Sequence, residues 1–378
     1  MIKVPYIDLK SQHALLKREI MVAIEMIFDR CDFILGEEVE KFENSIAAYC
    51  GTSYALGVNS GTDALFLCLK AYGIGTGDEV ITAPNSFLAS ATVISATGAK
   101  PVFVDIREDL NINPELLEVA ITKRTKAIIP VHLTGKPADM APIMKIAAKH
   151  GLKVIEDSAQ AIAAEYNGNK TGALGDAGCF SLHPLKTLNA CGDGGIITTD
   201  DKTLYDTIKQ LRNIGLKNRD ESDIWGYNSR LDTIQAAILN VKLKYLDEWT
   251  ADRRSNADYY CSKLANIVKV PQQEAHEKQA YHTFVIQVDN REQLVTFMTE
   301  HGIETKIHYP IPIHLQKAAA KLGYKKGDFP VCEKAADRIL SLPIYQGLGV
   351  EKQRLVADAI ISFYLINDKS NLPTFTKL

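Results

Sequence analysis

Apolar and polar positions along the chain alternate in a helix and strand rhythm. Residues 10 to 30 and 37 to 50 carry helical spacing. YALGV (54 to 58), EVITA (79 to 83), KPVFVDI (100 to 106), KAIIPVHL (126 to 133) and LKVIED (152 to 157) are then short apolar runs of strand length. Between them lie stretches of helical period, ALFLCLKAY, ASATVISAT and APIMKIAAKH. Strands that are apolar throughout and separated by helices predict βα units, and so an α/β fold whose mostly parallel sheet is covered on both faces.

After residue 180 the rhythm changes. GIITTDD closes a strand, TLYDTIKQLRNIG is helical, residues 213 to 229 read as a polar loop, and RLDTIQAAILNVKLKYLDEW resumes as one long helix joining two domains. The strand YHTFVIQV, the helix REQLVTFMTEHG and a helix near 351 to 365 then make a small α+β unit. The division expected is a large domain over 1–250 and a small one over 251–378, with the N-terminal helix packing on the small one.

Composition adds limits. A chain of 378 residues, 46% hydrophobic and 24% charged, can bury a large core and has the length of two domains. A formal charge of -3 gives no electrostatic reason to expect a nucleic-acid partner or an anionic membrane surface. The seven cysteines, Cys31, Cys50, Cys68, Cys179, Cys191, Cys261 and Cys332, form no C-x-x-C pair and no cluster at zinc spacing, so no metal site is expected and the thiols read as reduced. No apolar run reaches the length that spans a bilayer, and the first residues lack a leader pattern. The expectation is a soluble, cytoplasmic protein.

In an open parallel sheet, ligands bind beyond the carboxyl ends of the strands, which directs attention to the residues found there. In VNSGTDAL, Ser60, Gly61 and Thr62 sit between a strand and a helix. They are either an ordinary helix cap or a phosphate seat made of free backbone N–H groups. In APNSFLAS, Phe87 is either a core aromatic or a ring that stacks on a ligand. In VIEDSAQA, an apolar strand runs into Glu156 and Asp157, with Gln160 three residues beyond. Carboxylates at that depth are costly unless something cationic receives one of them. In FSLHPLKTLNACGDGG, Ser181 and Lys186 follow an apolar strand end, and Lys186 is either a solvated loop lysine or the reason for the loop.

The joint order decides between these pairs: a phosphate-type turn, an aromatic, a strand-end Asp, then Ser181 and Lys186 at 24 and 29 residues further on. It resembles the fold-type-I pyridoxal phosphate enzymes, and specifically the nucleotide-sugar aminotransferases of the DegT/DnrJ/EryC1/StrS family. The resemblance covers nearly the whole chain. Its markers are VNSGTDAL, GTGDEVITAP, GAKPVFVDI, HLTGKPADM, VIEDSAQA, FSLHPLK followed by GDGG, GYNSRLDTIQAA and IHYPIPIH.

The resemblance implies a fold-type-I transferase with pyridoxal 5'-phosphate on Lys186 as a Schiff base, passing through pyridoxamine 5'-phosphate. Asp157 would pair with the pyridine nitrogen. Gly61, Thr62 and Ser181 would hold the phosphate, Phe87 would stack on the ring, and Gln160 would bond near the ring hydroxyl. Asn228, in GYNSR, would reach the phosphate of a neighbouring subunit, which implies a homodimer with composite sites. His183, Tyr309 and His314 would lie near substrate, although a turn around Pro310 and Pro312 explains IHYPIPIH equally well. A branch of the family with histidine in place of the Schiff-base lysine performs dehydration. Here that position is Lys186, with His183 three residues before it, which implies transamination.

The implied donor is glutamate or glutamine. The GDGG ending favours a nucleotide-linked 3-keto sugar as acceptor. The alternatives are a 4-keto nucleotide sugar, an 8-keto octulosonate for lipopolysaccharide, and a regulatory homologue that binds the cofactor without turnover. Ile162 and Ala163 depart from the polar residue and glycine common in the family after AQA, a change beside the ring and not at it.

Overall fold

A computed structural model describes residues 2–367. Helices α1 (Leu9–Arg30) and α2 (Glu37–Cys50) open the chain. Next come β1 (Tyr54–Val58), α3 (Gly61–Ala71), β2 (Glu79–Thr82), α4 (Ala89–Thr97), β3 (Lys100–Phe103), the short α5 (Leu117–Ala120), β4 (Thr125–Ile129), α6 (Met140–His150) and β5 (Lys153–Asp157). The two-residue strands β6 (Glu165–Tyr166) and β7 (Asn169–Lys170) precede β8 (Ala177–Ser181), β9 (Gly195–Thr199) and α7 (Lys202–Leu211). The rest is α8 (Thr233–Leu243), α9 (Leu246–Leu264), β10 (Glu277–Lys278), β11 (Phe284–Gln287), α10 (Arg291–Glu300), α11 (Pro330–Arg338), β12 (Ile339–Leu342) and α12 (Val350–Asn367).

The main sheet has seven strands in the order β1-β9-β8-β5-β4-β2-β3. Every pairing from β8 to β3 is parallel, whereas β9 runs antiparallel to both β1 and β8. The chain between β8 and β9 contains no helix to carry it back across the sheet, so it can only turn and return antiparallel. The reversal matters for position: the ends of β1, β5 and β8 and the start of β9 meet at one edge.

Alternation along the strands accounts for the two covered faces. Ile81, Ile128 and Val154 pack on one side with Met140, Ile143 and Ala147 of α6. Their neighbours Val80, Ile129 and Ile155 pack on the other with Leu65 and Leu69 of α3, Ile94 of α4 and Ile208 of α7. Each such Val, Leu, Ile or Met side chain contributes roughly 1.5–3 kcal/mol on burial. Beyond the sheet, Tyr260 and Leu264 of α9 pack with Phe284, Leu340 and Ile360 around the pair β11 and β12.

Three expectations differ from the structure. The long helix is two, α8 and α9, broken at Lys244 and Tyr245. Its first half packs on α1 and α2, and its second turns its buried face to the C-terminal elements, which one straight rod cannot do. Helix α1 packs mainly on α8, through Leu16, Ile20, Ile238 and Val241. Val4 and Ile7, before α1, are what pack on the C-terminal core, Val4 bridging to Ile303. The strand in YHTFVIQV begins only at Phe284, because Tyr281 has φ 47 and the carbonyls of Tyr281 and His282 are taken by Arg253. Residues 368–378 of the unit expected over 251–378 lie outside the described residues. Among the described residues no helix is long and apolar enough to cross a membrane.

Candidate active site

A cavity of about 420 Å³ opens at the sheet edge where β1, β5, β8 and β9 meet. On one side is the start of α3. Ser60 is its cap and accepts from the Asp63 N–H at 3.0 Å. Gly61 and Thr62, in the first turn, line the cavity, where α-helical N–H groups have no partner within their own helix. Two glycines permit the approach of the strand ends. A Cβ on Gly61 would lie 2.7 Å from that of Ser181, and a Cβ on Gly195 would lie 2.2 Å from the Ser60 carbonyl oxygen. Ser181, the last residue of β8, lines the cavity beside them.

The segment from β8 to β9 is tied down at several points. The Leu182 N–H donates to the Gly194 carbonyl at 2.8 Å, and that of Ala190 to the Leu182 carbonyl at 2.7 Å. Asn189 Nδ2 donates to the Lys186 carbonyl at 2.9 Å, and Lys242 Nζ donates to the Asn189 carbonyl at 2.8 Å. Lys186 is thereby presented to the cavity, with His183 and Leu185 beside it. Burial pulls its amine down to about 8, with the Asp157 carboxylate opposing the shift.

Glu156 and Asp157 point to opposite faces of β5. Glu156 is met from within the protein: the N–H groups of Gly172, Leu174 and Gly175 donate to it at 2.8 Å each, and His132 Nε2 lies at 2.9 Å. His132 Nδ1 accepts from the Ala138 N–H, so the proton sits on Nε2 and is donated to Glu156. Asp157 faces the cavity. Burial pushes its carboxyl above the ordinary range, opposed by the Ser90 hydroxyl, which donates at 2.7 Å, and by the Ala159 N–H at 3.2 Å.

Gln160 accepts from the Thr134 N–H at 2.8 Å and donates from Nε2 to the Tyr309 hydroxyl at 3.3 Å. Phe87 is 55% exposed, which removes the core reading, and its ring lies 5.8 Å from that of Tyr309. Both line the cavity. Two expected residues do not. His314 is buried against Phe329 with Nε2 3.0 Å from Glu333, turned away because α11 supplies that carboxylate. Asn228 is exposed, in a bridge with Asn213, and reaches no part of this chain's cavity.

Sequence reasoning missed Ser90, Arg253, His282, Thr283 and His308. Ser90 and His308 lie within the segments APNSFLAS and IHYPIPIH and could have been found there. Arg253 carried no signal, because it sits mid-helix among polar residues and meets the cavity only through the packing of α9. Burial, then the charges of Lys186 and Lys306, lowers His308 to about 4.

A family model described as the DegT/DnrJ/EryC1/StrS aminotransferase family matches residues 15–361. Among curated relatives, a pleiotropic regulatory protein of Geobacillus stearothermophilus is 46% identical, with 96% of this chain and 98% of the relative covered. The dTDP-3-amino-3,4,6-trideoxy-alpha-D-glucose transaminase of Streptomyces venezuelae is 41% identical, with 95% of each chain covered. Among solved structures, that of S. venezuelae DesV in complex with a ketimine intermediate superposes with a TM-score of 0.94 at 41% identity, covering 96% of this chain and 99% of that one. The family match takes in every residue that lines the cavity except Tyr6 and Ile7, and the chain belongs to the DegT/DnrJ/EryC1/StrS aminotransferase family.

Proposed function

We propose that this enzyme, a pyridoxal phosphate-dependent sugar aminotransferase, moves the amino group of glutamate or glutamine to carbon 3 of a nucleotide-linked keto-sugar. The observation that carries the reading is the pairing of Lys186 and Asp157 in one cavity, an amine that burial holds near 8 and a buried carboxyl that, among the described residues, makes no ion pair at contact distance. When bound, pyridoxal phosphate supplies an electrophilic carbonyl and an electron sink for the carbon that loses a proton. The cavity suits it. Lys186 Nζ would be the anchoring amine and, once free, would be the base that moves the donor's Cα proton. That role is worth roughly 10²–10⁴-fold. An amine near 8 serves because a useful fraction is unprotonated at neutral pH, unlike an ordinary lysine.

Asp157 would accept from the protonated ring nitrogen, and Ser90 with the Ala159 N–H keeps its oxygens aimed. The first turn of α3, through Gly61 and Thr62, and the Ser181 hydroxyl receive the phosphate. Phe87 would stack on the ring, and Gln160, fixed by Thr134, would bond near the ring hydroxyl. His183 and Tyr309 face the substrates. Asn228 completes the phosphate seat of a partner subunit. A homodimer is supported by its exposure and by the apolar side chains exposed on α1, Leu15, Met21, Met26 and Phe28, with Trp225 97% exposed three residues before Asn228.

Carbon 3 is supported by the GDGG ending and by the 3-amino sugar in the name of the Streptomyces relative. The test is the purified holoenzyme with glutamate and a panel of dTDP- and UDP-linked 3-keto and 4-keto sugars and the 8-keto octulosonate, read by mass spectrometry. Amination of a 3-keto nucleotide sugar is expected. Exclusive use of a 4-keto sugar or the octulosonate refutes the acceptor assignment. A cofactor-binding regulator would show no spectral change with glutamate.

A further inference from the structure

Asn228 stands between two residues that dock on one helix. Before it, the ring of Tyr227 meets that of Phe66 edge-on, with centroids 5.0 Å apart. After it, Ser229, 2% exposed, donates its hydroxyl to Asp63 Oδ2 at 2.7 Å and accepts from the Asn59 N–H at 3.3 Å. Asp63 and Phe66 are three residues apart on α3 and so share one face of it. Backbone bonds complete the frame. The Tyr227 N–H donates to the Leu211 carbonyl at 2.6 Å, the Ser229 N–H to the Arg212 carbonyl at 2.9 Å, and Arg212 Nη1 to the Gly57 carbonyl of β1 at 2.7 Å. Asn228 itself stays exposed.

The same helix faces this chain's own cavity. Gly61 and Thr62 line it, whereas Asp63, the next residue, does not. The first turn of a helix attracts any anion, so a carboxylate there competes with a phosphate for the same end. The Ser229 hydroxyl has one proton, and its bond to Asp63 keeps that carboxylate on the loop side. One face of α3 thus fixes the loop that carries Asn228, while its first turn is left open to the cavity. We infer that Ser229 is a positioning residue through which α3 serves two active sites, keeping Asp63 off the phosphate seat of its own subunit and holding Asn228 where the partner's seat needs it. This rests on the proposed shared site and adds to it a physical link between the two seats.

The test uses mixed dimers in which one subunit carries Lys186→Ala, so that only the other can form the borohydride-trappable adduct. Cofactor-free dimers are titrated with pyridoxal phosphate at low ionic strength, and the trapped adduct is measured by mass spectrometry. In the first arrangement Ser229→Ala sits on the Lys186→Ala subunit. The reporting site then keeps its own Lys186, Asp63 and α3, and the lesion reaches it only through the Asn228 that the other subunit presents. Pyridoxal phosphate is expected to bind there about tenfold more weakly, the low end for a hydrogen bond to a charged group. In the second arrangement Ser229→Ala sits on the subunit that keeps Lys186. The released Asp63 is expected to weaken that seat about threefold, the size of one charge's effect at a helix start, and adding Asp63→Asn to the same subunit should restore it. Tyr227→Leu removes the ring contact with Phe66 and leaves the hydroxyl pair intact. It repeats the first arrangement by an independent route and decides it if Ser229→Ala fails to fold.

Wild-type affinity in the first arrangement for both Ser229→Ala and Tyr227→Leu overturns the inference. So does a second arrangement that Asp63→Asn does not restore, which would make Ser229 a structural bond of its own subunit. Asn228→Ala on the Lys186→Ala subunit is the control. If it leaves the reporting site unchanged, the shared site is refuted and the inference goes with it. If it weakens that site while Ser229→Ala and Tyr227→Leu do not, the shared site stands and the inference alone falls.

Discussion

Ser90→Ala tests how the cavity carboxyl is held. Ser90 is fully buried, and its hydroxyl donates to Asp157 Oδ2 at 2.7 Å. Ser86 Oγ loses an acceptor at 3.1 Å but keeps the Phe87 carbonyl at the same distance, so the loss is confined to Asp157. A hydrogen bond to a charged group is worth about 1.5–3 kcal/mol, and one between neutral groups about 0.5–1.5. The sign follows from linkage. Burial raises Asp157, so the cofactor-free folded state holds a proton that the unfolded chain has released. Stability therefore falls as pH rises from the ordinary value of 3.8 through the folded one. Ser90 opposes that rise, and its removal extends the falling window upward.

The deficit of Ser90→Ala should thus be small at acid pH, where both proteins carry the proton, and should approach about 1.5–3 kcal/mol once Asp157 is ionised in both. With about 2.1 cal/mol/K of unfolding entropy per residue, a chain of 378 residues would lose roughly 2–4 °C in melting temperature at the alkaline end. The assay is thermal unfolding of the cofactor-free protein from the acid limb to pH 8, with the rate of the glutamate half-reaction measured on holoenzyme. If Asp157 holds the ring nitrogen as proposed, that rate should fall about tenfold, since part of the bond's worth would be felt as Asp157 drifts. A deficit independent of pH, or an unchanged rate, would show that Asp157 is held by other groups.

Lys186→Ala should fold and keep the cofactor noncovalently while losing the borohydride-trappable adduct and turnover. In the cofactor-free wild type, the rate of cofactor capture should level off above about pH 8, where an unburied lysine would keep accelerating. Gly195→Ala puts a methyl 2.2 Å from the Ser60 carbonyl oxygen and 2.7 Å from the Gly61 nitrogen. It should cost about 1–3 kcal/mol and weaken cofactor binding in fluorescence titrations, and unchanged affinity would mean the start of α3 is not the phosphate seat. Mixed dimers of Lys186→Ala and Asn228→Ala subunits should regain one working site of the two, because one site carries both lesions and the other neither. Confirmed exchange without recovery would leave Asn228 a loop residue.

How much could be read from sequence depended on the range of the force involved. The strands β1, β2 and β5 were legible because burial on both faces leaves unbroken apolar runs, a local signal. The reversal of β9 and the break at Lys244 and Tyr245 were not, because each depends on where the chain must go next. IHYPIPIH shows the same limit within eight residues. His308 reaches the cavity and His314 does not, a difference made by Glu333 on α11 and invisible in the segment itself. Arg253 is the extreme case, since nothing near it in the chain marks it as a cavity residue. On the proposed role of Asn228, completing the phosphate seat of a partner subunit, the range would exceed one chain altogether.

Glu156 and Asp157 show how structure turns a sequence ambiguity into chemistry. As adjacent residues at a strand end they offer two carboxylates and one unanswered need for a cation, with no local reason to prefer either. The pleat sends them to opposite faces. Glu156 meets three backbone N–H groups and a histidine that donates to it, a set that satisfies both its oxygens from within the fold. Asp157 meets one hydroxyl and one N–H, and burial leaves it raised. The unmet demand for positive charge therefore falls on Asp157 alone. It lies in the cavity that also holds Lys186, where a ring nitrogen bearing a proton would satisfy it.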